Sequence, residues 1–367
     1  MNRPRLEHLA WSKAQHGRWL LDLADSAVAA PDLASLGLPH LAGAPAPASV
    51  LPELERALGA RLGAPGGRVL VTAGASEANA CALAGLLAPG EEALVESPGY
   101  EPHRAVPPFF GVHVRTFARR REQGYGRVSE SVEAALTPAS RLVLLTDLHN
   151  PGGVPLAPAD AAALTALAEH RSLWLVCDET FRDAAERPAG TLSILSDRWV
   201  TTSTLTKAYG LGSLRVGWVS GSAAALARCA GAQNALSVEP AGPSLTLALA
   251  LVPHLDTLRA RACTILSANH ARWRRLVADG LPCDTSVPPQ GTTTFVHLPG
   301  PAGGDAFAAF AAERFELLVA PGRFFGEPRG VRIALGGEPA RCAAALDTFQ
   351  TAVRAFDEAR RTAVETA

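Results

Sequence analysis

The chain has 367 residues, 48% of them hydrophobic, enough for a substantial core and more than one folded unit. Its 34 basic side chains nearly balance 35 acidic ones, so charge gives no ground for expecting nucleic acid or an anionic membrane as a partner. The six cysteines are scattered, with no CxxC pair and no zinc-like spacing to histidine, so reduced thiols are expected, with neither a disulfide framework nor a metal site.

The first stretch, MNRPRLEHLAWSKAQHGRW, carries charge throughout and does not read as a secretory signal. The most apolar stretch, residues 245–252, is too short to span a bilayer, and a cytoplasmic protein is expected. The Pro/Ala-rich run GAPAPAS, residues 43–49, reads as a short connector. From about residue 70 to 220 short apolar runs alternate with helical stretches. RVLVT, EALVE, VHVRTF, RLVLLT, LWLVCD, RWVTTS and LRVGWVS read as strands, and residues 76–87 and 159–170 as helices. Near-continuous apolar strands alternating with helices predict an α/β fold, a mostly parallel sheet of seven-stranded type covered by helices on both faces.

From Pro243 to about Asp279 the pattern is helical, and Pro253 should kink or divide it. TTTFVHL, FELLVAP and GVRIAL then read as strands, interleaved with helices over residues 305–314 and 339–360. This makes a smaller α+β domain, joined by the N-terminal segment. The expected division is 45–250 for the large domain, with 1–44 and 251–367 forming the small one.

Several polar residues fall at predicted strand ends, where open α/β sheets bind ligands. TAGASE, Thr72 to Glu77, runs from a strand into a helix; Gly74 permits a tight turn, and the amides of Ala75 and Ser76 then face outward at a helix N-terminus, ready for a phosphate. SPGY ends on Tyr100. HNPGGV, from His149, offers the amide of Asn150 on a proline-stiffened loop, a pattern that also makes ordinary turns. Asp178 closes the run LWLVC, where a carboxylate needs a cationic partner unless it meets solvent. In STLTKAYGLGSLRVG, Lys207 follows hydroxyl residues at a strand end, and Arg215 returns eight positions later.

Taken together, these elements resemble the fold-type-I pyridoxal-phosphate (PLP) enzymes, specifically aminotransferase class I/II, over about residues 50–350 and in family order. The resemblance implies pyridoxal 5′-phosphate as cofactor and a role for each matching residue. Lys207 matches the Schiff-base lysine that also shuttles the substrate proton. Asp178 matches the carboxylate that pairs the pyridinium nitrogen, and Asn150 the amide that bonds the ring's phenolic oxygen. Gly74, Ala75, Ser76, Thr204 and Arg215 match the phosphate cup. Tyr100 matches the aromatic that stacks on the ring, and Arg332, in GVRIA, the arginine that grips the substrate α-carboxylate.

Two departures stand out. Phe181 occupies a position where members commonly carry a tyrosine whose hydroxyl reaches the phenolic oxygen. Residues 43–50 hold no tyrosine to reach the phosphate of a neighbouring subunit. The resemblance implies transamination between an α-amino acid and a keto acid in a homodimer; residues 233–244 and the N-terminal stretch are expected to line the pocket, with no individual contact assigned. Another reaction on the same scaffold, such as C–S lysis by β-elimination, decarboxylation or an oxidase-like process, begins with the same chemistry and stays open. A non-catalytic PLP-binding regulator is disfavoured, because the roughly 70 residues before the first motif lack a basic recognition-helix pattern.

Overall fold

The computed structural model describes residues 5–38, 47–64, 68–185, 190–285, 290–299 and 303–365; most of the GAPAPAS connector lies outside them. The strands are β1 (Leu21–Asp22), β2 (Val69–Thr72), β3 (Glu92–Ser97), β4 (His113–Ala118), β5 (Ser140–Thr146), β6 (Trp174–Asp178), β7 (Trp199–Thr204), β8 (Gly217–Ser220), β9 (Thr293–His297), β10 (Leu317–Leu318), β11 (Ala320–Pro321) and β12 (Gly330–Ala334). The first helices are α1 (Glu7–Gln15), α2 (Val50–Leu62), α3 (Ala75–Leu86), α4 (Glu101–Ala105), α5 (Val128–Ala135) and α6 (Pro158–Arg171). The rest are α7 (Ala223–Leu236), α8 (Gly242–Leu251), α9 (Leu255–Ala278), α10 (Gly304–Phe315) and α11 (Pro339–Glu365).

All seven apolar runs predicted between residues 70 and 220 lie in one sheet, ordered β2-β8-β7-β6-β5-β3-β4. Only β8 runs against its neighbours. The near-continuous apolar character has a direct cause. Successive side chains alternate between faces, and both faces carry helices. Leu142, Leu144, Val176 and Val200 pack under α3 and α7. Val143, Leu145, Leu175 and Trp199 pack on the other face under α5 and α6.

A three-stranded antiparallel sheet, β11-β12-β9, and the parallel pair β1–β10 form beside α10 and α11. Phe307, Phe349 and Val353 fill the core there, together with Leu23 from the N-terminal segment. Pro253 does divide the long helical stretch: α8 ends at Leu251, a 3₁₀ turn covers Val252–His254, and α9 begins at Leu255. One expectation needs correcting. FELLVAP is not a single strand, since Phe315 ends α10 and the remainder splits into β10 and β11, which pair in different sheets. Pro321 has no N–H to donate and sits on the edge strand β11, as proline in a sheet must. Among the described residues no helix is long and apolar enough to cross a membrane.

Candidate active site

The C-terminal ends of the parallel strands and the small sheet enclose one cavity of about 560 Å³. Its first corner lies where β2 turns into α3. Gly74 has φ +90°, and a Cβ there would stand 2.5 Å from Arg215 Nη2, so the arginine occupies the space a side chain would need. Arg215 Nη2 also donates to the Ala73 carbonyl at 3.3 Å. The amides of Ala75 and Ser76 open α3 and have no intrahelical acceptor. Helix-terminal N–H groups beside a guanidinium make a concentrated positive corner suited to a dianion. Thr204 and Thr206 complete it, their hydroxyl oxygens 3.0 Å apart, with Thr204 Oγ1 donating to the Val216 carbonyl at 2.8 Å.

The second group surrounds Asp178, at the end of β6. Its Oδ2 accepts from Asn79 Nδ2 at 2.8 Å and lies 3.2 Å from His103 Nε2; its Oδ1 accepts the Thr180 amide at 3.0 Å. Asn79 Oδ1 in turn accepts from Thr202 Oγ1 at 2.6 Å. Burial pushes the Asp178 carboxyl up, but the hydrogen bonds and His103 together hold it below the ordinary carboxylate range. It is therefore a buried anion kept ionised, waiting opposite the cavity.

The third group joins distant parts of the chain. Lys207 Nζ donates to Ser26 Oγ at 3.0 Å. Burial lowers the lysine's pKa, and Asp25 pulls against that while Arg332 and Arg215 add to it. Arg332 donates from Nη1 to Asn150 Oδ1 at 3.2 Å and from Nη2 to the Ala24 carbonyl at 2.7 Å. Its Nε is buried with no partner among the described residues, and burial brings its pKa down to about 10. Asn150 accepts through Oδ1, and its Nδ2 makes no hydrogen bond among the described residues. His8, from α1, packs against Tyr100, Phe324 and Phe325. Burial, then the charges of Arg332 and Lys207, push its pKa down to about 3.

Ala75, Ser76, Tyr100, Asn150, Asp178, Phe181, Thr204, Lys207, Arg215 and Arg332 all line this cavity, and Gly74 lies directly behind Arg215. Residues 233–244 contribute nothing to the lining within one chain, contrary to expectation; Gln233 instead donates to the Val71 carbonyl. The N-terminal stretch, expected at the pocket without any contact assigned, lines it through His8, Ser12, Lys13, Asp25 and Ser26; sequence reasoning missed Asn79 and Thr206 in the lining, and His103 behind Asp178. Asn79 was within reach, falling one helical turn after Ala75 on the same face. The N-terminal residues carry no local signal. The chain contains two lysines, Lys13 and Lys207, and both line the cavity.

The sequence profile of the family described as aminotransferase class I and II matches residues 30–349. An arginine–pyruvate transaminase of Pseudomonas aeruginosa is 31% identical over 294 residues, 75% of this chain and 72% of that protein. A capreomycidine synthase of Streptomyces vinaceus is 29% identical over 287 residues, 77% of this chain and 73% of that protein. The solved structure of a PLP-dependent aminotransferase from Streptococcus suis superposes with a TM-score of 0.90 at 19% identity, covering 97% of this chain and 99% of that one, which speaks for the fold. With its fold and most of its length matched, the chain belongs to the aminotransferase class I and II family and is a transferase that works with pyridoxal 5′-phosphate.

Proposed function

We propose that this protein is an aminotransferase that holds its cofactor on Lys207 and moves an amino group between an α-amino acid and a 2-oxo acid. The observation that carries this reading is the convergence of Lys207, Asp178, Asn150, Arg215 and Arg332 on one cavity from separate elements.

The residues fit a phosphorylated pyridine. The positive corner of Arg215 and the first amides of α3 suits its phosphate, and the ionised Asp178 suits a protonated ring nitrogen. The free amide donors of Asn150 suit the phenolic oxygen. Bound pyridoxal 5′-phosphate supplies an electron sink for charge developing at the substrate Cα. The protein's part is then positional and protonic. Burial keeps more of Lys207 in the neutral form, which is the nucleophile and the base. Its Nζ takes the proton from Cα, becomes an ammonium, and returns the proton one position away. Arg332, with Nε unpartnered, grips the α-carboxylate and sets which Cα bond faces the lysine. His8 and Tyr100 close the aromatic side and exclude water.

A second reading, another reaction from the same starting point, draws support from two observations. One close relative is named a synthase, and Phe181 lines the cavity without a hydroxyl. We also propose a homodimer of the 38.2 kDa chain, supported by Leu236 and Val238, exposed at the end of α7; light scattering giving a monomer mass for active protein would count against it.

The test is to mix holo-protein with L-arginine, L-aspartate or L-alanine, with and without pyruvate or 2-oxoglutarate. Transamination predicts one equivalent of 2-oxo acid without an acceptor and continued turnover with one. Continued turnover without any acceptor would favour the second reading.

A further inference from the structure

We propose that Ser26 is a positioning residue for Lys207: its hydroxyl oxygen receives an N–H of the released lysine amine and holds Nζ at the floor of the cavity, against the substrate Cα. This rests on the reading of Lys207 as the cofactor-bearing lysine.

Lys207 Nζ donates to Ser26 Oγ at 3.0 Å, and Ser26 is 5% exposed. The segment carrying the serine is locked to the lysine's own main chain. The Val28 amide donates to the Lys207 carbonyl at 2.8 Å, and the Ala29 amide to the Gly336 carbonyl at 2.8 Å. Arg261 Nη1 adds a bond to the Ala29 carbonyl at 2.7 Å. Space is as tight as the bonding. A Cβ at Gly210, whose φ is +69°, would lie 2.7 Å from the Ala29 oxygen, and one at Gly336 would lie 2.2 Å from the Ala27 oxygen. The strap cannot drift relative to the lysine, so Ser26 Oγ is a fixed acceptor beside a long, flexible side chain.

That arrangement answers a chemical need. An ammonium offers three donors and no acceptor. Lysine also loses much rotamer entropy when fixed. While Nζ is bonded to the cofactor the cofactor itself fixes it, but once displaced it has four rotatable bonds and no covalent tether. A hydroxyl at the strap gives it one preferred position. The charged and titratable groups that face Nζ are Asp25 on the strap, Arg332 on β12, Arg215 just before β8, Asp178 at the end of β6 and His8 on α1. All of them remain when Ser26 alone is changed.

The two-lysine composition makes the test direct. Protein grown on lysine carbon-13-labelled at Cε gives two resonances, with Lys13 as the internal reference. Wild type, Ser26→Ala and Ser26→Thr are each loaded with pyridoxamine 5′-phosphate, which cannot bond the lysine, and titrated. Losing the acceptor should lower the Lys207 midpoint by about half to one pH unit in Ser26→Ala. Ser26→Thr keeps the hydroxyl and should match wild type. An unchanged or raised midpoint in Ser26→Ala, or an equal shift in Ser26→Thr, overturns the proposal. Should Ser26→Ala not fold, Ser26→Cys, with a weaker acceptor, takes its place with the same expected fall. Borohydride reduction of wild type loaded with pyridoxal 5′-phosphate separates the two claims. A pyridoxyl group on Lys13 defeats the reading of Lys207; one on Lys207 with unshifted midpoints defeats only the role of Ser26.

Discussion

Around Asp178, three hydrogen-bonding partners from α3, α4 and the strand's own continuation hold one carboxylate in a single place. Across the cavity, Lys207 and Arg332 are held by groups 181 and 308 residues away in sequence, and Arg332 keeps a buried N–H with no partner among the described residues. The Asp178 carboxylate has both oxygens bonded before anything binds, although His103 Nδ1 and Thr180 Oγ1 beside it have no partner among the described residues, and across the cavity an Arg332 N–H is left to satisfy. A cofactor stays through every turnover and is best met by fixed charge, because preorganised groups need no rearrangement at the moment of reaction. A substrate comes and goes, and its carboxylate and amine must replace bonds the protein makes in its absence. On the function proposed above, the contrast fits Asp178 holding the cofactor's electronics and Lys207 with Arg332 handling the substrate.

Four substitutions press on that division. Lys207→Ala removes one of the two lysine amines lining the cavity and should slow substrate conversion by about 10²–10⁴-fold, the usual worth of a positioned acid–base group. Single-turnover kinetics would measure it; a rate kept up by Lys13 would blur the contrast. Asp178→Ala breaks a buried charge network and should cost about 3–5 kcal/mol, read as lost stability and lost cofactor together in thermal melts with and without pyridoxal 5′-phosphate. Arg332→Ala should cost about 2–5 kcal/mol of binding for α-amino acids and little for amines lacking the carboxylate. Equal losses for both would make Arg332 structural.

The smallest effect concerns His8. Its native pKa is pushed down to about 3, so between pH 6.5 and 3 the unfolded chain binds a proton the native state refuses. Stability should therefore fall as pH drops through that window, by about 1.4 kcal/mol per unit. His8→Phe, placed beside Trp11, Phe324 and Phe325, should flatten the loss when melts at pH 7 and pH 5 are compared. Parallel slopes would show that α1 leaves its seat before the histidine is protonated.

The sheet was readable because its strands are buried on both faces, which leaves runs such as RLVLLT apolar throughout and bounded by turn residues. The residues after those runs reached the cavity for the same reason, since strand ends are where the sheet opens. FELLVAP misled because its apolar part, LLVAP, hides a break at Val319, where the chain passes from one small sheet to another. The N-terminal stretch was expected at the pocket, but His8, Asp25 and Ser26 could not be singled out within it. Asp25 and Ser26 are brought in by the pairing of β1 with β10 and by the strap on Lys207, and the His8 amide is held by the Glu101 carboxylate, contacts that leave no periodicity in the sequence.

The claim on which all of this turns is that Lys207 carries the cofactor. Holo-protein reduced with borohydride and digested should give a pyridoxyl group on the peptide containing Lys207, with Lys13 unmodified. A pyridoxyl group on Lys13, or none on either lysine, would contradict the account.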